Sequence, residues 1–304
     1  SASTAWKALH ARACCPGCWW CADLRWGLRA LQTPVERTAR REGLRYALRP
    51  SPRCVAGASF FAFILQVRPV PNPSLDTSRI RAISIDLDDT LWPIWPTITR
   101  AESVLLDWLN QHAPATAALF SDTEALRAIR NQMVTLRPDL KGDLSALRRE
   151  SIRLALTQAG DEPALAEPAF DLFFAERQRV ELFADAHDTL AFLSARYPVV
   201  AVSNGNADIH RIGIGHYFRH SISASDFGIA KPDVRIFHAA ATAVDVLPHE
   251  VLHVGDDATL DAQGALNAGM QAVWVNSANH PWPHDDTPPH ATVDSLTALC
   301  RLLA

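Results

Sequence analysis

An α/β protein with a parallel sheet and helices on both faces, interrupted by an all-helical insertion, is the fold this sequence predicts. Three observations predict it. Short apolar runs at Ile83–Ile85, Val199–Ser203, Val251–Gly255 and Gln271–Val275 have the continuous hydrophobicity of strands covered on both sides. Helical patterns separate the last three runs, as crossover connections require. Between the first run and the second lie about four amphipathic helices with no strand, which marks an insertion.

The elements follow in order. Ser78–Ile85 leads into the first strand, and Trp92-Pro-Ile-Trp-Pro96 is expected to form a tight flap, since prolines fix φ and remove donors. Thr97–His112 carries Ile98, Val104, Leu105, Trp108 and Leu109 at helical spacing. Ser121-Asp-Thr-Glu124 is a capping-box pattern that opens a helix with Leu126, Ile129, Met133 and Leu136. Leu144–Ala159 is a third helix, closed by Gly160 in a left-handed cap, and Ala164–Val180 a fourth. The alternating pattern then resumes. Helices are expected over Asp185–Arg196, part of Asp208–Tyr217, Asp233–Val244 and Thr259–Ala268, with a short strand at Ser221–Ala224. Asn204-Gly-Asn206 is a turn.

Charge divides the chain. The net charge of −4 combines residues 1–75, with 11 Lys and Arg against 3 acids, and residues 76–304, with 18 against 30. The first segment also holds five of six cysteines and four of nine tryptophans, without a helical or alternating period. It is expected to be a disordered extension or a segment not native to the fold. Cys15, Cys18 and Cys21 fall short of the four regularly spaced ligands of a structural zinc site. Scattered arginines make a poor nucleic-acid footprint. Ala56–Val67 is too short to span a bilayer and too far from residue 1 for a signal peptide, so the expected location is the cytoplasm. Nothing in the sequence sets an oligomeric state.

Chemistry is expected where Ile85 gives way to Asp86-Leu-Asp88-Asp89-Thr90. Crowding carboxylates at the end of a buried strand is costly through repulsion and desolvation, and a bound cation is the natural compensation. In open α/β sheets ligands bind at the carboxyl ends of strands. Further polar groups fall at such ends or at a helix start: Ser203-Asn204, Lys231-Pro-Asp233, and Gly255-Asp256-Asp257 with Asp261. Each is weak alone. Together and in this order they resemble the four motifs of the haloacid dehalogenase-like (HAD) hydrolases, over about residues 80–276.

The resemblance implies a Rossmann-like core over 76–92 and 185–304, with 93–184 as a helical C1 cap. It implies Asp86 as nucleophile, Asp88 as acid/base, and Mg²⁺ held by Asp86, Asp256 and the Asp88 backbone carbonyl. Lys231 would stabilise the nucleophile and the phosphorylated state, Ser203 and Asn204 would donate to phosphate oxygens, and Thr90 would help hold the loop. Asp257 and Asp261 are left open between reaching Mg²⁺ through water and, for Asp261, orienting within its helix. Trp92 and Trp95 are left open between core packing and a stacking surface for substrate. The second aspartate favours a phosphatase over the founding dehalogenases, which lack it and work without metal. The runs Ile85–Leu91, Val202–Asn206 and Leu252–Asp257 are similar to bacterial flavin mononucleotide phosphatases, which also act on the 5-amino-6-(5-phospho-D-ribitylamino)uracil precursor of riboflavin. The partner implied is a small phosphate ester. A phosphosugar phosphatase or mutase, and a non-catalytic binding module, are the alternatives.

Overall fold

The computed structural model describes residues 74–285 and 287–304. The expectations placed on residues 1–73, including the extension and its cysteines, lie outside the described residues. The chain enters strand β1 at Ala82–Ile85 and then builds five helices before returning to the sheet: α1 (Ile94–His112), α2 (Pro114–Leu119), α3 (Thr123–Leu136), α4 (Leu144–Ala159) and α5 (Ala166–Arg177). Helix α6 (Ala186–Ser194) leads to β2 (Val199–Ser203), α7 (Ile209–Ile212) to β3 (His220–Ser223), and α8 (Ala224–Phe227) with α9 (Val234–Ala243) to β4 (Val251–Gly255). A π-helical turn at Ala258–Gln263 runs into α10 (Gly264–Asn267), followed by β5 (Gln271–Val275), β6 (Ala291–Val293) and α11 (Leu296–Leu302).

The strands form one parallel six-stranded sheet in the order β3-β2-β1-β4-β5-β6. β1 is central, with Ile85 paired to Ala201 of β2 on one side and to Val254 of β4 on the other. Alternation sorts each strand's side chains onto two faces. Ile83, Ile85, Val199, Ala201, Leu252 and Val254 pack on one, against Leu190 and Leu193 of α6 and Leu299 of α11. Ala82, Val200, Val202, Val251 and Trp274 pack on the other, against Ile236 and Phe237 of α9. A sheet covered on both faces explains why its strands read as unbroken apolar runs.

The inserted helices have an apolar cluster of their own. Ala101, Leu105 and Leu109 recur every four residues along α1 and meet Leu126, Ile152, Leu156, Phe170 and Phe173. Buried Glu102 accepts from Arg127 at 2.7 Å and Arg148 at 3.1 Å, tying α1 to α3 and α4. Gly160 closes α4 with φ 83°, as expected.

Several local expectations are corrected. The proline segment is not a flap: Pro93 precedes α1 and Pro96 lies in its first turn, where the missing N–H is one of those without an intrahelical acceptor. Asp122, not Ser121, caps α3 by accepting from Ala125 N at 2.8 Å, and Glu124 points out to pair with Arg127 instead of completing a capping box. Helix α2, strand β6 and helix α11 had no counterpart in the sequence pattern. Among the described residues no helix is long and apolar enough to cross a membrane.

Candidate active site

The central strand delivers its acids between two neighbours whose ends carry the other groups. Asp86 N donates to Val254 O at 2.9 Å, so the backbone of β4 holds the first residue beyond β1. The next turn is shaped by Asp89, which adopts φ 61°, a conformation that aspartate tolerates better than most residues. Its carboxylate accepts from Ile94 N at 2.9 Å and so caps α1, and its own N–H donates to Trp92 O at 2.8 Å. The acids are thereby anchored both to the sheet and to the first inserted helix.

Lys231 comes from the loop before α9 and is buried between two carboxylates, its Nζ donating to Asp86 Oδ1 and, at 2.5 Å, to Asp261 Oδ1. Burial alone would drive the ammonium toward neutrality, but the charges of Asp261 and Asp86 outweigh it and raise its pKa. Burial likewise works against ionised Asp261, yet Lys231 and a hydrogen bond from His253 hold that acid at about 2. Asp86 responds the other way. Desolvation, reinforced by the charges of Asp261 and Asp88, outweighs Lys231 and pushes it up to about 8. Asp256 is raised well above the carboxylate range by burial and by the charge of Asp86.

Carboxylate oxygens of Asp86, Asp256 and Asp261 lie within 4.8 Å of one another. Oxygens on opposite sides of one Mg²⁺ are separated by about 4 Å, and a hard cation takes carboxylates by preference. The donor set therefore fits a hard divalent cation such as magnesium. Thr90 Oγ1 donates to Asp256 Oδ1 at 3.0 Å and fixes that carboxylate, while Trp274 Nε1 holds Asp256 O at 2.7 Å.

Ser203 is buried at the end of β2, where its hydroxyl accepts from Gly205 N at 2.9 Å. Asn204 faces the lysine loop. Its side-chain amide donates one N–H to Lys231 O at 3.0 Å and accepts from Lys231 N at 2.7 Å, so it braces the lysine loop. Asp257 accepts from Thr259 N and Leu260 N at 2.7 Å each, capping the π-helical turn, and lies outside the carboxylate group. Asp261 lies within it and anchors Lys231. Trp92 is wholly buried, in the core alternative of its two readings, and its indole donates to Asp88 Oδ1 at 2.8 Å. Trp95 is 39% exposed with the Arg127 guanidinium 5.6 Å from its ring centre.

Two participants escaped the sequence reading. His253, buried on β4, receives Ser84 Oγ at Nδ1 (2.8 Å) and faces Asp261 Oδ1 with Nε2 (3.1 Å). With its pKa lowered by burial, neutral His253 donates from Nε2 to the acid that holds Lys231. Arg177, the last residue of α5, reaches both oxygens of Asp88 with Nη2 at 2.8 and 2.7 Å. The Asp88 side chain is thus held by Arg177 and Trp92 and is not part of the carboxylate group.

Gly255 is where β4 passes closest to this network. A Cβ there would collide with the Asp261 carboxylate, which is itself pinned by Lys231, His253 and Asp257 N. Gly255→Ala is expected to cost about 1–3 kcal/mol of stability, seen as a lower denaturant midpoint with unchanged m-value. An unaltered midpoint would show that the turn has room to relax.

Residues 80–269 match the family model of the haloacid dehalogenase-like hydrolases. The chain belongs to that family. Its HAD relatives include the 5-amino-6-(5-phospho-D-ribitylamino)uracil phosphatase YigB of Escherichia coli K12, 34% identical over 74% of this chain and 97% of that protein. The phosphoserine phosphatase of Thermus thermophilus is 35% identical over 46% of this chain and 59% of its own length. Among solved structures, the 2-haloacid dehalogenase of Pseudomonas syringae pv. tomato DC3000 superposes with a TM-score of 0.69 and 36% identity, over 74% of this chain and 98% of that one. The HAD fold is therefore shared with enzymes of two chemistries.

Proposed function

We propose that this HAD hydrolase is a Mg²⁺-dependent phosphomonoesterase that works through an aspartyl-phosphate on Asp86. The observation that carries this reading is the pairing of two aspartates, two residues apart, in separate surroundings. Asp86 sits with Lys231 and the other carboxylates, whereas Asp88 is held by Arg177 and Trp92. Phosphoryl transfer needs a nucleophile in line with the leaving group and fixed positive charge around the phosphorus, so positioning does most of the work. Bound Mg²⁺ supplies neutralisation of phosphoryl oxygens and polarises the phosphorus.

The chain's own residues supply the rest. The Asp86 oxygen attacks phosphorus and becomes esterified, while Lys231 stays beside it as a fixed cation. Asp88 gives a proton to the departing oxygen and takes one back from the water that cleaves the ester. Ser203, at the neighbouring strand end, offers its hydroxyl to a phosphate oxygen.

The second reading is a dehalogenase, favoured by the structural relative of that description. It uses Asp86 as nucleophile but leaves Asp88 and Asp256 without a task, since displacement of halide by a carboxylate needs neither a proton donor nor a cation. The phosphatase reading uses all of them.

The substrate we propose is a small phosphorylated metabolite, with flavin mononucleotide or the riboflavin-precursor phosphate foremost, because the relative aligned over nearly its whole length acts on the latter. Residues 93–184 serve as the cap that closes over it. A groove of about 560 Å³ along the edge strand β3, lined by Ser145 of α4, Phe174 of α5, Asn206, His210 and Arg219, is where its non-phosphate part is proposed to lie; Trp95, outside that lining, is a candidate stacking surface. A screen of phosphorylated metabolites and 2-haloacids, with and without chelator, tests the reading. Mg²⁺-dependent phosphate release with preference for flavin-type esters is expected; halide release would replace the phosphatase reading, and a preference for sugar phosphates would replace the substrate.

A further inference from the structure

We propose that Arg177 is the positioning residue of the reaction: it holds the Asp88 carboxylate in the orientation from which a proton reaches the leaving oxygen. This rests on the reading of Asp88 as the acid/base. The two residues are 89 positions apart, and Arg177 is 2% exposed at the junction where the inserted helices return to the sheet. Its Nη2 bridges both oxygens of Asp88, and Trp92 Nε1 adds a third hydrogen bond from within the catalytic loop. Donors from two directions leave the carboxylate one orientation.

The other side of Asp88 is closed by backbone. A Cβ on Gly205 would collide with Asp88 Oδ2 and would lie 3.1 Å from Ser203 Oγ and 3.4 Å from Arg177 Nη2, so only glycine lets the loop after β2 approach this closely. The neighbour of Arg177 continues the grip. Gln178 donates from Nε2 to Asn206 O at 3.2 Å and accepts from Asp208 N at 2.7 Å. Adjacent residues at the end of α5 therefore fix the acid of one loop and the backbone of the other at a constant separation.

Stability does not account for the arrangement. Arg177 Nη1 is buried and has no acceptor among the described residues, and the contact to Asp88 runs through a single nitrogen instead of the two-pronged pairing that best repays burying a guanidinium. A pair selected for strength would use both nitrogens. One selected to aim a carboxylate needs only the bridge.

The test compares kcat/KM for p-nitrophenyl phosphate and phenyl phosphate in the full chain with saturating Mg²⁺. The two esters have similar shape, but the first leaving group departs without a proton and the second depends on one. General acids contribute about 10²–10⁴-fold. Arg177→Ala is expected to lose at least about tenfold more on phenyl phosphate than on p-nitrophenyl phosphate, with KM for the two little changed. Arg177→Gln keeps a donor and most of the packing and carries the same comparison if the alanine variant does not fold. Equal losses on both esters, or a lowered melting temperature with the ratio unchanged, would overturn the proposal. Asp88→Asn separates the two levels: if it too shows no leaving-group bias, the acid/base reading has failed; if it alone shows the bias, only the role of Arg177 has.

Discussion

Asp86→Asn is expected to lower kcat by on the order of 10⁴-fold or more, because the amide cannot form the ester through which turnover passes. The fold should persist. Lys231 keeps Asp261 as its counter-ion in the variant, and replacing one of three crowded, buried carboxylates removes both the cost of burying it and its repulsion of Asp256. Steady-state phosphate release gives the first readout and a cooperative melt the second. Mass spectrometry of wild-type protein quenched during turnover should find the phosphoryl group on the peptide containing Asp86. Substantial residual activity in the variant, or a phosphoryl group elsewhere, assigns the nucleophile to another residue.

Removal of the cation has the second largest expected effect. Chelation should abolish phosphate release and restoring Mg²⁺ should recover it, while binding at a hundred times the dissociation constant stabilises the native state by about 2.7 kcal/mol, or roughly 5–10 °C in Tm. The sign of the pH dependence follows from Asp86. Its carboxyl is raised from 3.8 to about 8 in the metal-free protein, so across that range the native state holds a proton that the unfolded chain has released. Metal-free stability should therefore fall as pH rises through the window. Asp256 acts in the same direction, and Asp261, held at about 2, is ionised throughout and contributes nothing there. Since the ion must displace such protons, affinity for Mg²⁺ should climb with pH through that window. Melting curves at pH 5.5 and 8 in chelator and in Mg²⁺ measure both effects, and an Mg²⁺-induced shift that shrinks at the higher pH contradicts the assignment of Asp86 as ligand.

What the sequence disclosed depended on how locally each feature is encoded. The central strands were legible because burial on both faces demands runs such as Val199–Ser203 with no polar interruption. The acids after Ile85 were legible because carboxylates have no structural reason to gather at such a place. Strand β6 is three residues long and follows a proline-rich stretch, so no periodicity could announce it. Pro96 misled, since its effect depends on whether it falls in a first turn or an interior, which tertiary contacts decided.

Roles set by distant partners were the least accessible. The motif around Asn204 gives no sign that its amide braces the backbone of Lys231, 27 residues away. Arg177 lay within a pattern that read simply as a helix, and His253 within an apolar run that read simply as a strand. A buried arginine or histidine has a signature only once its acceptor is known.

The widened turn after β4 bears on how this protein can change. Asp261 reaches Lys231 from a segment whose backbone hydrogen bonds span one residue more than those of an ordinary helix, so residue count brings it to the partners that pin it, Lys231, His253 and Asp257 N. Drift in the identities of Ala258, Thr259 or Gln263 leaves that aim intact. Loss or gain of a single codon there would swing the carboxylate about the axis and strand the lysine, so selection on this stretch acts on length before it acts on chemistry.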